Sequence, residues 1–441
     1  MALTVVGGLF GGASQANALS LMLVELASLP LLWLAVHRLV TQGIPRGAAI
    51  PIAILAGVAA IPALQLVPLP ETIWSRLPGR APEVHALALA HLGHPAEPYS
   101  LTPDATWRCL LALLPPAAMF LGAIQLPERQ RRVMAVLWLV LGLLSVGIGV
   151  LQVLGGADSP LYFYAVTNTG SPVGLFANRN HQAAFLYSLL PLAGAFAAQL
   201  IGGLRTRQAL GPILGALFVP VAIIGVAITL SRAGIVLAGG ALIGVVLLAM
   251  RRGVFKRHWA QAAGLGLAAA AGVTAVLLFG LQPLLTRFGD LNNPELRFEG
   301  WPIVLDTAKS FLPLGSGIGS FDTVYRAAEP LTQVSSAYFN HAHDDWLEIW
   351  LETGVAGALL AALFLVWFIG KAARIWPPLH SSHVRDLAAP CTIVILLLLG
   401  HSLVDYPLRT ETIAVLFAFA CAEMASASRM PVRGAGETWK N

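Results

Sequence analysis

Charge is what this sequence has least of. Only 11% of its 441 residues are Asp, Glu, Lys or Arg, against about 25% in an ordinary soluble domain. That scarcity excludes a water-soluble globule and a charged disordered chain. Cysteine is scarce too. Cys109, Cys391 and Cys421 all lie in apolar stretches, so no loop disulfide is available and they read as small core residues. A cleavable leader is also missing from the reading, because the first apolar stretch has no basic start and runs on without a clear cleavage site. No internal repeat and no low-complexity tail is present.

What the chain has in abundance is apolar sequence, at 57% of residues. Several runs exceed the ~18 residues that mark a membrane span. Spans are expected at 18–40, 48–68, 106–126, 133–154, 180–202, 211–230, 233–250, 260–281, 346–370, 387–404 and 411–427. The expected fold is therefore an all-α, polytopic membrane protein of about 11 transmembrane helices. Residues 2–12 are apolar and Gly-rich but too short to span, and read as a half-helix or the remnant of a twelfth. Net charge is +5 with a pI near 9.3. Nucleic acid is not the implied partner, since membrane proteins gather Lys and Arg in their cytoplasmic loops and become basic for that reason alone.

Those basic residues also orient the chain. Short loops carrying, among others, Arg38, Arg129, Arg131, Arg132, Arg251, Arg252, Lys371 and Arg374 hold 17 of the 27. The other 10 are spread over much longer loops, so the dense side is expected to be cytoplasmic. Three long segments then face outward, at about 69–105, 155–179 and 282–345. Loops of this length are usually functional. The organisation expected is an N-terminal bundle over 1–281, an outer helical subdomain over 282–345 lying between two late spans, and C-terminal spans with a short cytoplasmic tail over 346–441.

Five polar clusters interrupt the apolar pattern. Asn178-Arg179-Asn180-His181 opens a span from outside. A lone Arg there snorkels to headgroups; two Asn and a His beside it favour a polar pocket. Ser231-Arg232 breaks what is otherwise one long apolar run, and an Arg so placed is costly unless paired or facing water. Arg297-x-x-x-Trp301 precedes Pro313-Leu-Gly-Ser-Gly-Ile-Gly-Ser-Phe321, whose glycines do not follow the dinucleotide spacing and read as a tight, closely packed turn. His341-Ala-His343-Asp344-Asp345-Trp-Leu-Glu348 enters a span and is followed by Glu352-Thr-Gly354. On a helix the rings of His-x-His diverge by about 200°, and no third ligand completes a zinc set. A general base held by a carboxylate, with Glu348 and Asp344 one turn apart to supply it, is the sharper reading. The fifth cluster, His401-x-x-x-Asp405 with Arg409, is a structural pair or a pocket wall.

These positions map to one face. Transporters usually carry ionisable groups near the midplane, and here Glu25 and Glu352 are the exceptions to nearly uncharged spans. Arg forks bind phosphate in bidentate fashion, and a His titrates near neutral pH. The constellation suits an anionic, membrane-tethered substrate. The runner-up is a transporter or flippase of the same lipids without chemistry, and a membrane metallohydrolase on His341 and His343 comes third.

The chain resembles the O-antigen ligase and polysaccharide polymerase superfamily over about residues 20–425. The resemblance rests on Phe176-Ala-Asn-Arg-Asn-His181, Leu230-Ser-Arg-Ala-Gly234, Arg297-x-x-x-Trp301 with the glycine-rich turn, and His341-Ala-His-Asp-Asp-Trp-Leu347 through Gly354. His343 is in register with Gly354 and Gly357 as in the ligase motif, whereas Asp344 and Ala358-Leu359 depart from it. The resemblance implies transfer of glycan from an undecaprenyl-pyrophosphate carrier at the periplasmic face of the bacterial inner membrane. The acceptor is a hydroxyl of another glycan, of lipid A core or of a protein. It implies no cofactor and no metal. Arg179 and Arg232 correspond to pyrophosphate-holding arginines and His343 to the histidine that activates the acceptor, with His341 as the alternative. Asn178, Asn180, His181, Arg297, Trp301, Asp344, Glu348, Asp405 and Arg409 complete the expected substrate site. Glycan transfer from a purified lipid carrier should accordingly persist in EDTA; stoichiometric zinc that is lost in His343→Ala would move the assignment to the hydrolase.

Overall fold

The computed structural model describes residues 1–14, 17–93, 95–200, 210–251, 296–332, 334, 339–376 and 387–427. It is α-helical but for one two-residue antiparallel pairing, Pro68–Leu69 (β1) with Glu97–Pro98 (β2), in the first outer segment. Six helices among the described residues are long and apolar enough to cross a membrane: Ala18–Gln42, Pro103–Ala123, Glu128–Leu154, Leu210–Ile228, Arg232–Arg251 and Asp345–Ile375. Each falls on an expected span. Ala49–Gln65 and Ala388–His401 are apolar but shorter. The span expected at 260–281 and the tail after 427 lie outside the described residues, so the structure carries a multi-pass all-α membrane protein without fixing eleven as the number of spans.

The two other expected spans, Arg179–Ala197 and Glu411–Ser426, have a distinct place. Nearly every residue of Arg179–Ala197 is buried, from His181 to Ala197. Glu411–Ser426 is almost as enclosed. A helix sheathed by other helices meets protein on all sides and has no lipid-facing stripe. The long helix Ala18–Gln42 is the opposite case, with Leu19, Leu23, Leu26, Trp33 and Val40 exposed. In water this surface would be an aggregation liability; in a bilayer it is the solvated face.

Polar contacts at the helix ends sort the bundle into two poles. At one pole Arg131 Nε meets Glu423 at 3.0 Å, Arg132 Nη2 donates to Gln199 at 2.8 Å, Arg251 donates to the Ile375 carbonyl and Lys371 Nζ donates to the Ala425 carbonyl at 3.3 Å. The opposite ends of those same helices are Arg179, Arg232, Asp345 and Glu411. The arginines of the short loops and the candidate site thus sit at opposite poles.

Above the site pole, the helices Leu296–Phe311 and Phe321–Ala328 build a small core of their own. Val304, Ala308, Phe311, Phe321, Val324 and Tyr325 pack there with Ala342 and Leu351. In a cysteine-free background, an impermeant maleimide on intact spheroplasts should label Leu331→Cys, at a position 92% exposed beyond this core, and spare Arg129→Cys at the other pole. The reverse pattern would turn the site toward the cytoplasm.

Candidate functional site at the end of a broken helix

Asp345–Ile375 is two helices in sequence. At Gly354 the backbone leaves helical geometry, with φ 56° and ψ −140°, a conformation that glycine adopts without the cost a side chain brings. The break frees backbone groups inside an apolar surrounding, where each unsatisfied group costs several kcal/mol, on the order of the transfer penalty of an amide. The glycine-rich turn supplies the partners. Ser316 N donates to the Leu351 carbonyl at 3.0 Å, Gly317 N to the Glu352 carbonyl at 2.9 Å, and Val355 N to the Pro313 carbonyl at 2.9 Å. Gln65 spans the joint, giving Nε2 to the Glu352 carbonyl at 3.1 Å and accepting from Ile318 N at 2.9 Å. A Cβ at Gly354 would collide with the Pro313 carbonyl. The Pro313–Phe321 motif is therefore a plug for a broken helix, in keeping with the tight turn its spacing suggests.

The break leaves a short outer helix, Asp345 to Thr353, whose side chains form a charged core. Its N-cap is Asp344, whose Oδ1 accepts from Trp346 N at 2.9 Å and Leu347 N at 3.1 Å, the capping geometry that favours Asp. Arg409, from a 3₁₀ turn at Pro407–Arg409, reaches into this helix. It lies 2.9 Å from Asp345, 3.1 Å from Glu348 and 3.5 Å from Glu352. Burial opposes its charge, but Glu348, Glu352 and Asp345 together hold the guanidinium well above even its usual basicity. Glu352 Oε1 also accepts from Gly319 N at 2.9 Å and Phe321 N at 3.2 Å.

Each of the two histidines has its own carboxylate. His341 Nδ1 lies 2.8 Å from Glu348 Oε1, while Glu348 Oε2 accepts from Ala342 N at 2.9 Å. His343 Nδ1 lies 3.2 Å from Asp405 Oδ1, and Asp405 Oδ2 accepts from Asn180 Nδ2 at 2.9 Å. Burial alone would make Asp405 a weaker acid, but the His343 hydrogen bond and the charges of the surrounding histidines hold its carboxyl well below the usual carboxylate range. An ionised carboxylate accepts only, so Nδ1–H donates and Nε2 is left as the basic nitrogen. His343 sits at φ 50°, a strained backbone for a non-glycine residue and of a kind that clusters at functional sites. The ring of Tyr406 lies 4.4 Å from that of His341, 5.0 Å from His343 and 5.3 Å from His181.

These contacts revise one sequence expectation. Asp344 does not orient a histidine, because capping the helix occupies it; Glu348 and Asp405 share that task. His401 and Asp405 remain one-turn neighbours, Asp405 N donating to the His401 carbonyl at 3.0 Å, while the His401 ring bonds Tyr187 Oη at 2.7 Å. His181 turns its Nδ1 to Thr410 at 2.7 Å. Trp301 Nε1 donates to the Ala342 carbonyl at 2.8 Å and so pins the histidine loop. The side chain of Arg297 lies outside the described residues. Arg179 and Arg232 are half-buried at the same pole. Asn178 caps the Arg179 helix through Asn180 N at 2.8 Å, and Gly234 packs against Ala183, bringing the two helix starts together. Leu230, just before Ser231-Arg232, is also left-handed at φ 52°. Tyr406 and Gln65 went unread. Tyr406, next to Asp405 and before a proline, carried a faint signal; Gln65, one amide in an apolar span, carried only its polarity. Among the described residues no group of three or more His, Cys, Asp or Glu is arranged to hold a metal.

A side chain at Gly354 must accept both the left-handed backbone and the clash with Pro313. Gly354→Ala should lower stability by about 1–3 kcal/mol, the usual cost of such strain, and more if the plug is displaced. Gly370→Ala, in the same helix with nothing within 4 Å of the added carbon, should leave thermal unfolding in detergent unchanged. Equal melting of the two variants would dismiss the plug.

No curated protein matches the chain. Residues 216–362 match the family model described as O-antigen ligase, a segment that takes in Arg232, the plug, both histidines and the break at Gly354. Over that third of its length the chain is similar to the O-antigen ligase family, which supports a function of the glycan ligase or polymerase kind.

Proposed function

We propose that this protein is a metal-independent glycosyltransferase of the bacterial inner membrane. It takes glycan from an undecaprenyl-pyrophosphate carrier at the periplasmic face and passes it to a hydroxyl of a glycan, of lipid A core or of a protein. The observation that carries this reading is the pair of histidines, each with Nδ1 on a carboxylate, at the pole that also holds Arg179 and Arg232.

The chemistry follows from those positions. His343, held by Asp405, presents Nε2 to the acceptor hydroxyl and takes its proton as the oxygen attacks the anomeric carbon. The bond from that carbon to the pyrophosphate oxygen breaks, and the leaving group departs with its electron pair. Arg179 and Arg232 meet the charge that develops there, where planar forks bind phosphate oxygens in pairs. Asn180 and Asp405 steady the base, and Trp301 steadies the loop that carries it. Arg409 is already engaged by three carboxylates and contributes nothing to the pyrophosphate in this scheme. His341 is the neighbouring dyad, and mutation tells which of the two bases acts.

His343→Ala should lower single-turnover transfer by about 10²–10⁴-fold, the usual worth of a general base, while donor affinity stays near wild type. Arg232→Lys keeps the charge but loses the fork, and should cost about tenfold or more in donor binding or turnover, or ~1.4 kcal/mol. A His343→Ala protein that turns over normally beside a dead His341→Ala would move the base by two residues. Full activity of all three variants would end the proposal.

A further inference from the structure

The cage around Arg409 has a composition that packing alone does not explain. Three carboxylates meet one guanidinium, all on the short helix between the histidine loop and the break. Burying an ion pair rarely stabilises a fold over apolar side chains of the same volume, and an excess of one sign is worse. The hydrogen bonds show how the cluster is strung together. The amides of Gly319 and Phe321 hold Oε1 of Glu352. Arg409 joins Glu352 to Glu348, with one nitrogen of its fork on each. Glu348 has one oxygen on His341 and the other on the backbone of Ala342. A continuous chain of charge-assisted contacts thus runs from the plug to the His341 ring. Asp345, held by Ser402 Oγ at 3.0 Å, takes the Nε of Arg409 and fixes the plane of the fork.

We infer that Arg409 and Glu352 are positioning residues: they hold Glu348 against His341 and tie that histidine to the seating of the glycine-rich plug on the broken helix. Neither touches the reacting atoms. Arg409 spends its donors on three carboxylates, and the oxygen of Glu352 faces backbone amides. The arrangement makes the ring of His341 sensitive to a joint that lies beyond Glu352, in another part of the chain. A misplacement of about 1 Å at a reacting group costs up to ~10²-fold in rate, so a chain of short, charged contacts is a suitable way to set it.

The kinetic part rests on the transferase reading, and the test therefore has a second arm that does not. The full chain in detergent micelles is compared as wild type, Glu348→Gln, Glu352→Gln and Arg409→Lys. Glu352→Gln is isosteric and retains an oxygen for Gly319 and Phe321 while presenting an amide NH₂ to Arg409, so it separates the relay from the fold. In the first arm, with a lipid-pyrophosphate-linked glycan as donor, turnover should fall about 10²-fold in Glu348→Gln and about tenfold in Glu352→Gln and Arg409→Lys, with donor KM unchanged. In the second arm, ¹⁵N-labelled histidine is followed by NMR, with His341 assigned from His341→Gln. Its Nδ1 resonance, which reports the contact with Glu348, should shift in Glu348→Gln and, by less, in Glu352→Gln. A raised donor KM with intact turnover in Arg409→Lys would make Arg409 a donor ligand and overturn the inference. An unmoved His341 Nδ1 resonance in both glutamine variants would overturn it as well. Shifts in the NMR arm beside a wild type that transfers from no lipid-linked donor would sustain the relay and overturn the transferase instead.

Discussion

A helix inside a bilayer has nowhere to place a freed carbonyl except on protein. That constraint governs this molecule at Gly354. Once the helix breaks there, the carbonyls of Leu351 and Glu352 and the amide of Val355 need partners, and the Pro313–Gly317 turn provides all three. The turn is held in its own place from the other side. Leu101 N donates to the Ser316 carbonyl at 3.1 Å, and Tyr99 Oη donates to the Gly315 carbonyl at 2.6 Å. Arg80, buried beneath this segment, binds the carbonyls of Pro98 and Tyr99 and the carboxylate of Glu83. The first outer segment, the plug and the broken helix are three layers of one joint. The short helix that the break sets apart carries Asp345, Glu348 and Glu352, so the charged core and the orientation of His341 both depend on it.

The same joint explains why so much charge survives in so apolar a chain. Carboxylates are tolerated in the outer part of a span when they are paired and hydrogen-bonded. Here each has a cation or a backbone amide, and Arg409 unites them. The second dyad obeys the same rule with different means: Asp405 is supported by neutral donors, Asn180 and the Tyr406 amide, and by a single histidine. One histidine thus leans on a carboxylate shared with an arginine, and the other on a carboxylate shared with an amide. The two rings are two residues apart in sequence yet differ in electrostatic setting, and Tyr406 lies against both.

Much of the fold was legible because its signals are blunt. Apolar runs of about 20 residues and the segregation of arginines need no tertiary information, and the polar clusters at 178–181, 231–232, 341–348 and 405–409 do come to one pole. What could not be read was pairing. Spacing suggested Asp344 for a histidine, but a residue that opens a helix is claimed by the local backbone before any distant partner. The roles of Asp405, Asn180, Gln65 and Tyr406 depend on contacts between residues more than 60 positions apart, which no local pattern encodes. The enclosure of the helix Arg179–Ala197 by other helices leaves no mark on a sequence that is apolar on every side.

His343 finds its carboxylate at residue 405, and Glu348 its arginine at residue 409, in the turn between the last two helices. Both histidines are synthesised some sixty residues before these partners emerge. During biogenesis the outer half of the 345–375 helix therefore enters the membrane with Asp345, Glu348 and Glu352 still lacking Arg409, and its histidine loop still lacking Asp405. A chain arrested before residue 405 therefore holds the matched family segment in full, yet neither Asp405 for His343 nor Arg409 for Glu348.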